Sequence, residues 1–301
     1  MIRGNSIVKK YITSFIFLLT FFVCTTGCTS ESDEVSISSK INEDKQRIVA
    51  TTVAVVEIMD ALDLELVGVP TTNSELPKQY KELTEVGNPM SPDMEIIKSL
   101  KPTEVLSVTT LKYDLEESFK NIGLQASYIN LQSVGDMKKE ILTLGKKFDR
   151  KKESEKLVEK YDKKLADIKK VTSGKKAPKV LILLGIPGSY LVATEHSYIG
   201  NLVELSGGTN AIQGQNVEFL SSNTEYLHKS NPDIILRLAH GMPKEVVEMF
   251  DKEFKRNDIW KHFDAVKNNR VYDLEEELFP TTANLKMDKA LDKLVEIFYE
   301  Q

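Results

Sequence analysis

Glu95-Ile96-Ile97-Lys98-Ser99-Leu100-Lys101-Pro102, followed by Thr103-Glu104-Val105-Leu106, has a second copy later in the chain. The copy reads Glu225-Tyr226-Leu227-His228-Lys229-Ser230-Asn231-Pro232, followed by Asp233-Ile234-Ile235-Leu236. In each, a glutamate opens a short amphipathic segment, a proline seven residues later stops it, and an apolar run rich in β-branched residues follows. Proline breaks a helix interior and pushes the preceding residue out of the helical region, so each unit predicts a helix, a turn and a buried strand. One such unit in each half of the chain predicts two similar α/β lobes with a cleft between them. The offset from Glu95 to Glu225 also exposes a difference between the halves. Shifted by it, His240 falls on Thr110 and Met90 on Leu220, so neither residue has its like in the other half.

Working outward, Arg47–Ala50 reads as a first strand, and Thr51-Thr52 as the cap of a helix from Val53 to Leu62. Leu66–Pro70 is a second short strand. Val86-Gly87 leads into a loop holding Asn88, Pro89, Met90, Ser91 and Pro92, and Phe119–Leu131 supplies a helix end and another strand. From Val134 to Lys170 there is no proline, and Met137, Ile141, Leu144, Phe148, Leu157, Tyr161, Leu165 and Ile168 recur at helical spacings. That predicts one amphipathic helix, roughly 50 Å long at 1.5 Å per residue, ended by Ser173-Gly174. The stripe is too irregular for sustained heptads, which favours a helix crossing between lobes over a coiled coil. Lys179–Gly185 is an apolar strand of the fully buried kind, Tyr198–Leu205 a helix, and Asp288–Tyr299 a closing helix. The expected class is α/β: two α/β lobes joined by one long α-helix, with the ligand cleft between them. The expected divisions are residues 47–133 for the N-terminal lobe, 134–174 for the interlobe helix and 175–301 for the C-terminal lobe. A single helical joint implies closure by small rotations.

The first residues carry an address. Arg3, Lys9 and Lys10 precede the apolar run Ile12–Val23, which is too short to span a bilayer and fits a secretory signal, giving residues 1–27 as a signal peptide. The run ends in Thr25-Thr26-Gly27-Cys28, a lipobox-like sequence with Thr25 where leucine is usual, so Cys28 is the expected lipidation site. Two palmitate-type acyl chains on that cysteine would hold the domain stably at the extracellular face of the cell membrane, which one chain does not achieve. Residues 28–46 are polar and charged and read as a flexible tether. Cys24 lies in the segment to be removed, so no disulfide and no Cys-ligated zinc or iron–sulfur site is expected in the exported domain. The formal net charge of −5 becomes −8 when residues 1–27, with three Lys/Arg and no Asp/Glu, are taken away. Such an acidic domain is unsuited to nucleic acid.

The chemistry is expected where strands end and loops begin, at the carboxyl edges of the sheets. Three segments fall there: the Thr51-Thr52-Val53 helix start, which favours an anion, the Met90 loop, and Arg237–Pro243 after the second repeat's strand. His240 alone among the four histidines follows a buried strand and precedes a glycine. Met90, held between prolines outside any helical stripe, is the methionine most suited to a ligand role, with Met242 as its competitor. One histidine with one methionine is a poor site for zinc, calcium or manganese, which want several N, S or carboxylate donors. It is a good axial pair for haem, whose four equatorial ligands come from the porphyrin. Ser189 in Pro187-Gly188-Ser189-Tyr190 lacks the Gly-x-Ser-x-Gly elbow of a hydrolase, and an enzyme is not expected.

Several motifs together resemble a known family. Val86-Gly87-Asn88-Pro89-Met90, Val180–Thr194, Ser221–Glu225, Arg237–Pro243 and Asn257–Leu274 are similar to the corresponding stretches of the IsdE haem-receptor lipoproteins of Gram-positive bacteria. Those are single-helix-hinged substrate-binding proteins of ABC importers. The resemblance covers nearly the whole mature chain. It implies a receptor for haem b as transported ligand, with Met90 and His240 as axial ligands, one from each lobe. It further implies Glu95 and Glu225 as carboxylates docking onto an ABC permease dimer, haem-donor surface proteins upstream, and a monomer. The propionates are expected at Thr51, Thr52 and Val53, with Arg237 as an alternative partner. A ferric-siderophore or cobalamin receptor of the same fold is the alternative reading, in which Met90 and His240 would be bystanders.

Overall fold

In the N-terminal lobe, β1 (Ile48–Ala50) is the middle strand and leads into α1 (Val53–Ala61), capped by Thr52, whose hydroxyl accepts from the Val55 N–H. Then follow β2 (Leu66–Val69), β3 (Thr84–Glu85), the small hairpin β4 (Gly87–Asn88) and β5 (Ser91–Pro92), α2 (Met94–Ser99), β6 (Glu104–Val108), α3 (Lys112–Asn121) and β7 (Ala126–Ile129). Every pairing in the sheet, ordered β3-β2-β1-β6-β7, is parallel. The computed structural model describes residues 46–222, 227 and 230–299. The expected signal peptide, Cys28, all but the last residue of the expected tether, and Glu225 lie outside them.

One long helix joins the lobes, as expected, but it does not run through the whole of 134–170. α4 (Val134–Lys147) starts on Ser133, which caps it by accepting from the Asp136 N–H, and α5 (Lys151–Thr172) is the long element. Between them Asp149 takes a left-handed φ of 55°, and Arg150 donates its N–H to Gly145 O at 2.7 Å, turning the chain back on itself. The continuous helix expected over 134–170 is therefore corrected to an antiparallel pair. Aspartate tolerates the left-handed region, and one such residue suffices to end a helix. α5 carries the connection, since it packs on α1 of the first lobe and on helices of the second.

The second lobe holds β8 (Lys179–Ile186), β9 (Ser189–Ala193), α6 (Tyr198–Leu205), β10 (Thr209–Asn210), β11 (Phe219–Ser221), β12 (Ile234–Ala239), α7 (Pro243–Arg256), α8 (Asp264–Lys267), β13 (Val271–Leu274) and α9 (Met287–Tyr299). Its sheet runs β11-β9-β8-β12-β13, with β10 also on β8; β12 and β13 are parallel to β8, while β9 and β11 form an antiparallel edge.

The two repeats occupy equivalent places. β6 lies parallel beside β1, and β12 parallel beside β8. Lys101 and Asn231, each just before its proline, have positive φ of 45° and 31°. Thr103 Oγ1 accepts from the Arg47 N–H at 2.9 Å, and Asp233 Oδ2 from the Lys179 N–H at 2.8 Å, so each repeat latches the same end of its lobe's first strand. Ile97 and Leu227, the matching helical residues, are both buried.

Strand alternation sends side chains to two layers. Ile48, Ala50, Leu106, Val180, Ile182, Ile234 and Leu236 face a core that continues through α5, α6 and α9 and belongs to both lobes. Val49 and Val105 face the outer layer under α2 and α3, and Leu181, Leu183 and Ile235 the outer layer under α7 and Trp260.

Candidate functional site

In the first lobe, strands are added on one side of β1 up to β3 and then on the other from β6, so the order reverses between β1 and β6. A crevice outside the carboxyl ends at such a reversal is the usual ligand position in an open parallel sheet. The Thr51–Val53 segment leaves β1 there. The Thr51 hydroxyl is buried and donates to Leu106 O at 3.2 Å, and Thr52 serves as the cap. Both side chains are therefore committed to the fold. What this end of α1 offers a ligand is its backbone, because the N–H groups of Val53 and Ala54 have no intrahelical partners.

Met90 sits at the tip of the β4–β5 hairpin, just beyond the end of β3, and is 69% exposed. The tip is fixed from several directions. Asn88 Oδ1 accepts from the Met90 N–H at 2.9 Å, Thr71 donates its N–H to Gly87 O at 2.9 Å, and Asp93 its N–H to Val86 O at 2.8 Å. Gly87 has a φ of 92° with backbone packed against its α-carbon, a position closed to any side chain. An apolar thioether held out into solvent by so many backbone bonds gives the fold nothing in packing.

His240 follows β12, beside β8, and its N–H donates to Gly185 O at 2.9 Å. Its imidazole is half-exposed. Gly241 and Met242 both have positive φ, 68° and 47°, so the chain turns sharply here before Pro243 starts α7. Glu276, in the loop after β13, reaches across this turn. Its Oε1 accepts from the Gly241 N–H at 2.8 Å and stands 3.5 Å from His240 Nδ1. Met242 is also exposed, on the histidine's own loop.

Arg237 is elsewhere. It points from β12 into the outer layer, with its guanidinium on the rings of Phe250 and Phe254. Nε and Nη2 donate to the two oxygens of Asp273 at 2.7 and 2.5 Å, and Nη2 also to Asp251 at 3.1 Å. A guanidinium already spent on two carboxylates, with a side chain only 8% exposed, is not a propionate partner, and that expectation is corrected. Strand alternation carries the reason: Arg237 lies on the sheet face of Ile235 and Ala239, away from the core shared by the lobes.

Glu95 is the second residue of α2, exposed and without an ion pair among the described residues, while the capping of that helix falls to Asp93. Sequence reasoning missed Glu276. It lies in Glu275-Glu276-Glu277, a run that reads as a solvated charge cluster, and nothing in it marks the middle carboxylate. Among the described residues no group of three His, Cys, Asp or Glu could hold a bare metal ion. Iron bound by these donors would have to bring most of its ligands with it.

The comparisons fit this geometry. Residues 48–278 match the family described as periplasmic binding protein. The high-affinity heme uptake system protein IsdE of Staphylococcus aureus strain Newman is 48% identical over 294 residues, 97% of this chain and 98% of its own. A crystal structure of S. aureus IsdE complexed with heme is 51% identical with a TM-score of 0.82, covering 85% of this chain and 99% of that one. An ABC transporter substrate-binding protein from Listeria monocytogenes EGD-e is 56% identical with a TM-score of 0.82, over 85% of this chain and all of that one. Two lobes, a helical joint and donors off both carboxyl edges thus come with relatedness along nearly the whole sequence, and this chain belongs to the periplasmic binding protein family and, within it, to the IsdE-type haem receptors.

Proposed function

We propose that this extracytoplasmic protein binds one haem in the cleft between its lobes and passes it to an ABC permease, with Met90 and His240 as axial ligands. The observation that carries the assignment is the pair of exposed donors, a thioether on one lobe and an imidazole on the other, each at the carboxyl edge of its sheet. The porphyrin disc separates its two axial ligands, so they are most readily supplied from opposite walls. Met242, two residues from His240, is poorly placed to reach the opposite face. The porphyrin brings four nitrogens, and the protein need add only two donors. The propionates meet the Val53 and Ala54 N–H groups at the start of α1, where the helix dipole favours negative charge.

Cys28 is the lipid attachment, residues 28–46 the tether, 47–133 and 175–301 the lobes, and 134–174 the joint. The receptor works as a monomer, takes haem from surface proteins and docks on a permease dimer through Glu95 and Glu225. The carboxylate of Glu95, exposed and without an ion pair among the described residues, supports that role.

Titration with haem should give a one-to-one complex with a six-coordinate low-spin spectrum. Met90→Ala and His240→Ala should each change that spectrum. Unchanged spectra in both variants would refute the ligation.

A further inference from the structure

We infer that Glu276 is a positioning residue for haem, acting on the iron through His240; the inference rests on the ligation proposed above. Three observations converge on it. First, Glu276 Oε1 is 3.5 Å from His240 Nδ1, a few tenths of an ångström outside a hydrogen bond. Second, the same oxygen accepts the Gly241 N–H at 2.8 Å, so the carboxylate is fixed to the backbone of the loop that carries the histidine. Third, that loop is a turn with two successive left-handed residues, Gly241 and the non-glycine Met242. Such backbone is costly for Met242 and needs an external tie.

The two ring nitrogens then have separate tasks. With a carboxylate at Nδ1, the proton sits on Nδ1 and the lone pair on Nε2, which is the nitrogen left to meet iron. A carboxylate behind a ligating imidazole fixes the ring's tautomer and orientation and makes it a stronger donor. Stronger donation and a nearby negative charge both favour ferric over ferrous iron, opposing the thioether of Met90, which favours ferrous. Glu276 therefore shifts the balance of the held haem toward ferric, and it does so through His240, without touching the haem.

The test is Glu276→Gln, whose amide oxygen can still accept the Gly241 N–H while the charge is lost, read beside His240→Ala in the full chain loaded with haem. We expect Glu276→Gln to bind haem one to one and keep a low-spin spectrum. Its preference for ferric over ferrous haem should fall about tenfold, an upward shift of ~59 mV in reduction potential for a one-electron couple. Glu276→Asp should recover part of the shift, which a loss of loop structure alone would not allow. If His240→Ala changes the spectrum but Glu276→Gln keeps the parent potential, the role of Glu276 is refuted while the ligation stands. If His240→Ala leaves the spectrum intact, the ligation is wrong and the inference falls with it.

Discussion

Arg237→Met separates stability from ligand binding in one residue. The side chain to be replaced is nearly buried, with its guanidinium on Phe250 and Phe254 at 5.5 and 5.2 Å from the ring centroids. Breaking a buried ion pair commonly costs 3–5 kcal/mol, because the remaining charge has lost its water. Here the acids are not stranded: the side chains of Asp273 and Asp251 are 40% and 52% exposed, so both can rehydrate, and the ionic part must be discounted accordingly. What remains is the loss of charge-assisted hydrogen bonds and of the cation's contact with two rings, about 1–3 kcal/mol together. Methionine refills most of the volume and avoids a cavity penalty. Thermal unfolding should thus fall by roughly 3–10 °C for a domain of this size. Haem affinity and the Soret spectrum should stay at parent values, because the guanidinium faces the outer layer. Melting followed by circular dichroism and a haem titration measure the two quantities on one preparation. A variant with parent stability and at least tenfold weaker haem binding would refute the placement of Arg237.

The elbow and the interlobe contact offer two further tests. A methyl group at Gly145 would overlap the Ser154 side chain and crowd Arg150 O where α4 meets α5, so Gly145→Ala should lose about 1–3 kcal/mol in a urea melt; an unperturbed midpoint would contradict the close approach. Glu57 on α1 lies 3.8 Å from Lys286 of the second lobe, and burial raises its carboxyl above the ordinary 4.5, against the pull of Lys286 and of the Leu285 N–H and with the push of Glu277 and Asp60. A carboxyl raised on folding binds more protons folded than unfolded, so its contribution is fullest below 4.5 and is lost as pH rises through the folded value. Glu57→Gln should therefore flatten the melting temperature against pH over that window and be at least as stable as the parent at neutral pH; a steeper profile would refute it.

How far the residues disclosed this molecule depended on the kind of signal. Proline and period made the repeats, β1, α1 and β8 legible, because those features act within a few residues. The break at Asp149 was hard to read, since neither glycine nor proline stands at the turn itself, and what Gly145 allows, the close approach of Ser154 nine residues on, is visible only once α4 lies against α5. His240 and Met90 could be singled out because each departs from its surroundings, an imidazole after an apolar strand and a thioether between prolines. Arg237 was misjudged for the opposite reason. Its neighbours in sequence suggested a cleft, while its partners Asp251 and Asp273 lie on α7 and β13 and come to it only in the folded sheet. Glu276 was hidden by the same distance, 36 positions from the histidine it faces (240 to 276).

The duplication itself explains where symmetry had to end. From the residues before the prolines through the strands the described parts of the copies agree even in their latching hydrogen bonds, and Thr110, the counterpart of His240, likewise sits in the turn that leaves its strand. The offset fails at the other donor. Leu220, the residue at that distance from Met90, belongs to β11, an edge strand paired antiparallel with β9, whereas Met90 stands on a hairpin tip. The second lobe therefore has a strand where the first presents the hairpin tip proposed to ligate haem, and the difference is one of backbone, not a substitution in a shared loop. Point mutation could turn one histidine position into threonine, but could not make the two walls alike. A core shared by both lobes and running along α5 opposes large changes in the separation of these unlike walls. Walls so restrained suit a flat, rigid guest that needs a different donor on each face, and would suit poorly a guest around which they must wrap.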